Sequence, residues 1–319
     1  GSGSAYVASL PVFPVFLDLP LLRGDEVAHA PHVAVHADPW PGSVAVYSSA
    51  SENGFVLDGL VTAPAVIGET LSAMAPAASG LWDRGAALRV QVYGGTLMSA
   101  EPEAVFGGAN VAAIGTGSDD IWEVFQFAEA ELVSPGVYDL RMRLRGQAGT
   151  DAVAALWPVG SRFVLLSQAL MQLDHGLAAR GLARHYRVGP AAKAVDDPVY
   201  TAQTRAFEGV GLRPLAPVHL RAVPDGAGGD VFTWVRRTRV DGDSWQGLDV
   251  PLGEGIEQYL VRVEAGGALV REAFVSVPSW TYHAADQAND GVTGPYEVAV
   301  AQVSESFGAG PFWRISRNG

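Results

Sequence analysis

The sequence has no cysteine. That absence excludes a disulfide framework and any thiolate metal site, and it leaves the redox compartment open. There is no run of 18 or more apolar residues, so no segment reads as a transmembrane helix. Positive charge is scarce: 21 Lys and Arg stand against 34 Asp and Glu, a formal net charge of −13. So acidic a chain is not expected to grip nucleic acid through its phosphates, and the charge reads as serving solubility. Two common chemical signatures are missing as well. Gly94-Gly95 and Gly107-Gly108 belong to no phosphate loop, and no Gly-x-Ser-x-Gly elbow occurs. What is abundant is turn chemistry. The 38 Gly and 20 Pro are spread along all 319 residues, between short apolar alternations, which favours an all-β protein of two or three domains.

The stretch from Ile121 to Arg145 organises the chain. In its second half Tyr138, Leu140, Met142 and Leu144 alternate with Asp139, Arg141, Arg143 and Arg145. A period of two marks a strand with one apolar face. The first half is apolar on both sides, with Ile121, Phe125 and Phe127 against Trp122 and Val124, which predicts a strand covered on both faces. Ser134-Pro135-Gly136 supplies the turn between them. Such a hairpin needs further strands to cover it.

The rest of the chain reads as that cover. Residues 12–22 form an edge strand or extended arm, because Pro11, Pro14 and Pro20 interrupt them. Strands follow at 32–36, at 43–47 as the return strand after a turn at 38–42, and at 55–61 after Ser51-Glu52-Asn53-Gly54. Further strands are expected at 88–93, 110–114 and 162–166, with a helical turn at 101–105 and a turn at 157–160. Residues 170–188 place Leu170, Leu173, Leu177 and Ala178 on a helical stripe. Gly176 and Gly181 would each cost about 1 kcal/mol inside a helix, so two short strands around a turn at Asp174-His175-Gly176 are favoured. Seven short strands then run at 218–223, 231–240, 258–264, 268–275, 279–284, 296–304 and 312–315, the pattern of a β-sandwich with Trp234 and Tyr296 in its core. The division expected is a linker or tag at 1–4, a β-rich segment at 5–64, a β-rich domain at 65–190, a linker at 191–216 and a sandwich at 217–319. Gly1-Ser2-Gly3-Ser4 reads as a flexible linker, and the chain as a piece cut from something longer.

Several motifs in series carry a resemblance. They are Phe16-Leu-Asp-Leu-Pro20 with Pro39-Trp-Pro-Gly-Ser-Val-Ala-Val-Tyr-Ser-Ser49, residues 88–97 followed by Gly107-Gly-Ala-Asn-Val-Ala-Ala-Ile-Gly115, and Trp122-Glu-Val-Phe-Gln-Phe-Ala128. Leu144-Arg-Gly-Gln-Ala-Gly-Thr150 and Gly160-Ser-Arg-Phe-Val-Leu-Leu166 complete the series. Over residues 16–190 their order and spacing resemble the C-terminal part of the large tail-tip or baseplate "host specificity" protein of gene transfer agents of the Rhodobacter type, sometimes called megatron. The hub domains and the glycoside-hydrolase-like barrel of that family's N-terminal part have no counterpart here. Residues 217–319, with Pro217, Trp234, Tyr259 and the run 296–310, resemble a fibronectin type III domain. The resemblance implies a non-enzymatic structural component of a phage-like tail tip, without cofactor, acting in particle assembly and host attachment. It implies other tail and baseplate proteins as partners, a homotrimer in the particle, contact with a host-envelope glycan, and a place at the tail tip, extracellular after release. The alternative is a carbohydrate-binding accessory module of a cell-wall glycosidase, suggested by aromatic residues in turns and the sandwich.

No catalytic, cofactor or metal residue is assigned. His29, His32 and His36 would converge on a helix, but Pro31 and the β-rich run put them on a strand, too far apart to share one ion. Arg141, Arg143 and Arg145 form a basic stripe. It suits either an acidic neighbouring subunit or anionic sugar, or a solvated face with cross-strand partners such as Glu123 or Glu129. Asp18 with Asp25-Glu26 is a candidate acid pair for a hydrolase, against ordinary solvated loop acids. Asp241-Gly-Asp243 and Asp286-x-x-x-Asp290-Gly291 lack the full Ca²⁺ loop spacing and read as turns. Trp40, Trp82, Trp245 and Trp280 lie beside turn residues, as candidates to stack on sugars or dock into a neighbour, or to anchor their own loops.

Overall fold

A computed structural model of the chain describes residues 9–117, 121–173, 175–238 and 255–318. Strands make up 46% of it and helices 7%, so the fold is all-β. The chain divides into two compact units, Gly1–Gly211 and Leu212–Gly319. The first unit runs through β1 (Phe13–Leu17), β2 (His32–His36), β3 (Val44–Ser49), β4 (Val56–Val61), β5 (Ile67–Thr70), β6 (Trp82–Asp83) and β7 (Leu88–Tyr93). It continues through α1 (Pro102–Phe106), β8 (Val111–Gly115), β9 (Trp122–Ser134), β10 (Val137–Gln147), β11 (Arg162–Leu165), β12 (Met171–Gln172), β13 (Arg184–Pro190) and β14 (Thr201–Arg205).

The hairpin β9–β10 forms around Ser134-Pro135-Gly136 as its sequence predicts, and it closes a barrel. The strands follow the order β10-β7-β5-β11-β8-β9, and β9 pairs back onto β10, with β6 added outside on β10. Closure leaves these strands with few free edges. Leu88 and Val90 of β7, Ile114 of β8, Phe125 and Phe127 of β9, and Tyr138 and Leu140 of β10 fill the interior around Phe163. A barrel this small is a packed core, not a pore. β5 and β11, the first and last strands of the barrel, are hydrogen-bonded neighbours, with Ile67 opposite Val164 and Glu69 opposite Arg162.

Two more sheets lie outside the barrel. In the sheet β1-β2-β12, Val15, Leu17 and Ala34 pack on Ile67, Ala113, Trp122 and Val164 of the barrel wall. Its other face sets Phe16, Val33 and Val35 against Val44, Val46, Tyr186 and Val188 of the sheet β14-β13-β3-β4. The middle sheet is covered twice, which is why Val33-Ala-Val35 is apolar at every position. Pro14 sits in β1 at the edge of this sheet, where a missing N–H is tolerated.

Several expectations change here. β3 is not the return partner of β2; it pairs with β13 and β4, while the two edges of β2 are taken by β1 and β12. Pairing of β2 with β12 and of β3 with β13 joins the segments 5–64 and 65–190, which the sequence reading separates. Residues 191–216, read as linker, contain β14, paired along β13, and a 3-10 turn at Val210–Leu212. Residues 170–188 do hold two strand segments and a short 3-10 turn at Leu177–Ala179; Asp174 lies outside the described residues.

The second unit contains β15 (Val218–Pro224), β16 (Asp230–Val235), β17 (Tyr259–Ala265), β18 (Ala268–Val275), β19 (Ser279–Tyr282), α2 (Ala284–Asn289), β20 (Tyr296–Ser304) and β21 (Gly308–Arg317). The sheet β15-β16-β19 and the sheet β18-β17-β20-β21 share one core of Phe232, Trp234, Tyr259, Val261, Tyr282, Tyr296 and Val298. Three strands facing four is the sandwich that the strand spacing led us to expect, with Trp234 and Tyr296 inside. Trp234 meets Tyr259 edge-on at 5.2 Å. The short helix α2, between β19 and β20, had no counterpart in the sequence reading.

Candidate functional site

The chemistry-bearing side chains of the central hairpin are drawn into the barrel. At Met142 the backbone takes φ +51, a region that L residues rarely adopt. Alternation along β10 reverses there. Tyr138 and Leu140 belong to the barrel interior, whereas Leu144 packs outside on Val105 and Ala128. Arg145 therefore goes inward and is completely buried, as is its ion-pair partner Glu123.

The two form a two-point fork, Nε to Oε1 at 2.6 Å and Nη2 to Oε2 at 3.0 Å. The remaining guanidinium donors reach the carbonyls of Ala75 at 2.5 Å and Ala155 at 3.2 Å. Glu123 also accepts the indole N–H of Trp157 at 2.6 Å and the amide of Gly146 at 3.1 Å. A buried ion pair holds only when its spare hydrogen-bonding capacity is met in this way.

Arg143 is likewise buried. Its Nε and Nη2 donate to Asp83 Oδ2 at 3.1 and 2.8 Å, and its Nη1 donates to the Leu140 carbonyl at 2.7 Å. Burial alone would raise the Asp83 pKa; the Gly85 amide and the Arg143 and Arg145 guanidiniums outweigh it and hold the carboxyl below its ordinary value. Arg141 alone of the three stays partly open, 3.3 Å from Glu131 and 3.7 Å from Asp139. The basic stripe expected for a partner or for solvent is thus corrected. Arg143 and Arg145 cannot meet a partner, because the reversal at Met142 turns them into the protein.

The run Arg145-Gly-Gln-Ala-Gly-Thr150 follows from the same geometry. It begins where the regular β9–β10 ladder breaks, between Leu144 and Gln147. Gly146 has φ +58, and a Cβ there would lie 2.7 Å from the Asp151 Cα. Ala148 and Gly149 also have positive φ, at 53 and 78. Thr150 Oγ1 accepts the Val124 amide at 3.0 Å and donates to the Gln147 carbonyl at 2.6 Å. Together these contacts lock the end of the hairpin onto the barrel wall.

Residues 65–164 match the family described as Rcc01698-like, C-terminal. The matched span starts just before β5 and ends in β11, so it coincides with the barrel and includes the Glu123–Arg145–Trp157 cluster. No curated protein matches the chain. Among solved structures, domains d3–d4 of the rat CD45 extracellular region align at 13% identity over 42% of this chain and 63% of that one, with a TM-score of 0.25. A cytokine receptor complex aligns at 10% identity over 73% of this chain and 91% of that one, also with a TM-score of 0.25. Neither bears on function.

The tryptophans lie against cores. Trp40 packs against the core between the two outer sheets of the first unit and donates to the Gly42 carbonyl at 3.1 Å. Trp82 lies in β6, opposite Leu144 and 5.4 Å from Phe106. Trp280 lies in β19, stacked between Phe232 at 6.1 Å and Tyr282 at 5.3 Å. All three are half-buried against cores, Trp40 from within the turn between β2 and β3, as the loop-anchoring alternative expects, and Trp245 lies outside the described residues. Among the described residues the exposed aromatics are others: Phe13, Tyr93, Phe106, Phe274 and Trp313.

The remaining candidates have local duties. His32 and His36 stand at opposite ends of β2, and His29 contacts the His175 carbonyl at 2.8 Å. Asp18 takes the amides of Glu208, Gly209 and Val210 at 2.8, 3.1 and 2.8 Å, which fastens the end of the first unit. Burial pushes its carboxyl above the ordinary value against the pull of those amides. Glu26 accepts three amides of its own loop, from Leu22, Arg23 and Gly24, and Asp25 pairs with Arg23. The supposed acid pair is thereby divided between two structural tasks. Asp286 and Asp290 both turn to Arg271, at 3.1 and 2.6 Å; Asp241 and Asp243 lie outside the described residues. Among the described residues no three His, Asp or Glu are grouped to hold a metal ion, and no helix is long and apolar enough to cross a membrane.

Proposed function

We propose that this chain is a structural, non-enzymatic component of a phage-like tail tip or baseplate of the gene-transfer-agent type, serving particle assembly and host-surface attachment. The observation that carries the reading is the family match over the closed barrel, residues 65–164, taken with the motif series of the sequence. The geometry suits the role. The ionic side chains of the motif are spent on rigidity, with Glu123 and Arg145 holding each other and Thr150 clamping Val124. A rigid barrel under mechanical load needs such internal ties more than it needs a reactive cleft. Its partners in this reading are neighbouring tail proteins, with a host-envelope glycan as a further, multivalent contact. The reading as a glycosidase accessory module keeps the sandwich, while Trp40, Trp82 and Trp280, half-buried against cores, present less open ring than it calls for.

The test is imaging of intact particles labelled with an antibody raised against this chain. Label at the distal tail is the expected result. Label confined to the head, or particles free of the protein, would overturn the proposal.

A further inference from the structure

The edges of the sheets differ in how they are guarded. An edge strand offers unpaired N–H and C=O groups to any other chain, and folded proteins blunt such edges with proline, charge, short length or a bulge. β1 carries Pro14, and β12 and β6 have two residues each. β14 ends in Arg205, β15 ends in Pro224 after a register shift, and β19 has four residues. β18 holds Arg271 and Glu272, and β21 holds Pro311, Arg314 and Arg317.

β4 has almost none of these guards. It is the outer strand of the sheet β14-β13-β3-β4, reads Val56-Leu-Asp-Gly-Leu-Val61, and has one irregularity, a register shift opposite Asp58. It has no proline. Its single charged side chain, Asp58, is turned inward, 7% exposed and 3.8 Å from His175. Meanwhile Val56, Leu57 and Leu60 are 66%, 46% and 47% exposed. The register with β3 sets Leu57 beside Tyr47 and Leu60 beside Ala45, so the two leucines share one face. Arg187 lies on that face too, opposite Tyr47 and 4.6 Å over the Phe55 ring.

The strand is also its own complement. Read from either end, its apolar pattern is Val-Leu-x-x-Leu-Val. Two copies run antiparallel about an axis between Asp58 and Gly59 bring Leu57 opposite Leu60 and Val56 opposite Val61, with each Asp58 facing a glycine. Such self-complementarity is what a two-fold contact requires, and a partner of different sequence would not call for it.

We propose that a second copy of this chain pairs antiparallel along β4, joining two four-stranded sheets into one sheet of eight strands, with Leu57 and Leu60 of both copies on a common apolar face. The contact is independent of the tail-tip reading, and it is two-fold, unlike the trimer that the resemblance implies.

Sedimentation velocity on the full chain over a wide concentration range tests it. A monomer–dimer equilibrium is expected. Replacing both leucines with lysine (Leu57→Lys, Leu60→Lys), or both with glutamate (Leu57→Glu, Leu60→Glu), should weaken the dimer by about tenfold or more, and mixing the two variants should restore it through Lys–Glu pairs. Hydrogen exchange on the unaltered chain gives a reading free of any folding defect: the β4 amides should become protected as concentration rises. A chain that stays monomeric, forms a trimer, or dimerises without protection of β4 overturns the proposal. So does a dimer indifferent to the lysine variant, or a lysine–glutamate mixture that fails to pair.

Discussion

The barrel and the sandwich both use an Arg–carboxylate fork completed by an aromatic donor, but they put it in different places. In the barrel Arg145, Glu123 and the Trp157 indole meet inside, with both charged side chains wholly buried. In the sandwich the corresponding trios are Arg317 with Asp230 and the Tyr296 hydroxyl, and Arg271 with Asp290 and the Tyr282 hydroxyl. There the arginines remain 27% and 30% exposed. Water can take over part of a lost contact at the sandwich sites, and none of it in the barrel. Losing one member of the trio is therefore far less forgiving in the first unit than in the second, whatever the net worth of the intact pair.

Breaking the barrel trio should have the largest effect. Glu123→Gln or Arg145→Met alone leaves a buried charge without its partner and should lower the stability of the first unit by about 3–5 kcal/mol. Calorimetry should show this in one unfolding transition and leave the other unmoved. The double change Glu123→Leu with Arg145→Met should cost far less than the two single losses together, since it removes both charges. If the single changes leave the transition where it was, the contrast between the units disappears.

Apolar truncation should not distinguish the units. Phe125→Ala in the barrel and Phe232→Ala in the sandwich, both fully buried, should each cost about 3–5 kcal/mol, each in its own unit's transition. Thr150→Val keeps the shape but leaves the Val124 amide without its acceptor, and should cost about 1–3 kcal/mol by urea denaturation.

The sandwich trios should respond least to mutation and most visibly to acid. Arg317 first, then Tyr296, hold the Asp230 carboxyl below its ordinary 3.8 against burial, and Arg271 and Tyr282 do the same for Asp290. A depressed folded-state value means that the stabilisation is complete above the ordinary value and disappears as pH falls through the folded one. Asp230→Asn and Asp290→Asn should each cost less than about 1 kcal/mol near neutral pH, after allowance for solvent. The double variant should show a flatter loss of melting temperature than the unaltered chain between about pH 5 and pH 2. Equal slopes would mean that other carboxyls dominate the acid limb.

Much of the fold was legible in short-range patterns. The seven sandwich strands, the hairpin turn at Pro135-Gly136 and the strands at β2, β7, β8 and β11 follow from alternation and turn residues. Pairing was not legible. β3 joins β13 across more than half of the first unit, and nothing local in Val44–Ser49 names that partner. β5 was missed because glycine and glutamate, both poor strand formers, take up the middle of Ile67-Gly-Glu-Thr70, and β6 because two residues are too few to display a period. The site was misjudged at one backbone angle. A continuous alternation through Met142 puts Arg143 and Arg145 on an open face, and methionine gives no hint of a positive φ. Glu123 had appeared as a cross-strand partner, but its burial and the role of Trp157 had not. The one available signal was a lone acid inside an otherwise apolar run, Trp122-Glu-Val-Phe125, which in a strand covered on both faces demands a buried counter-charge.

The adjacency of β5 and β11 has a consequence for how the first unit is put together. About a hundred residues separate β4 from β12, and bringing together the ends of an unstructured connection of that length would cost roughly 4–5 kcal/mol. Because the barrel starts and finishes on neighbouring strands, it returns the chain to where it left. Once closed, it acts on the outer sheets as a staple, delivering β12 to β2 and β13 to β3 already within reach.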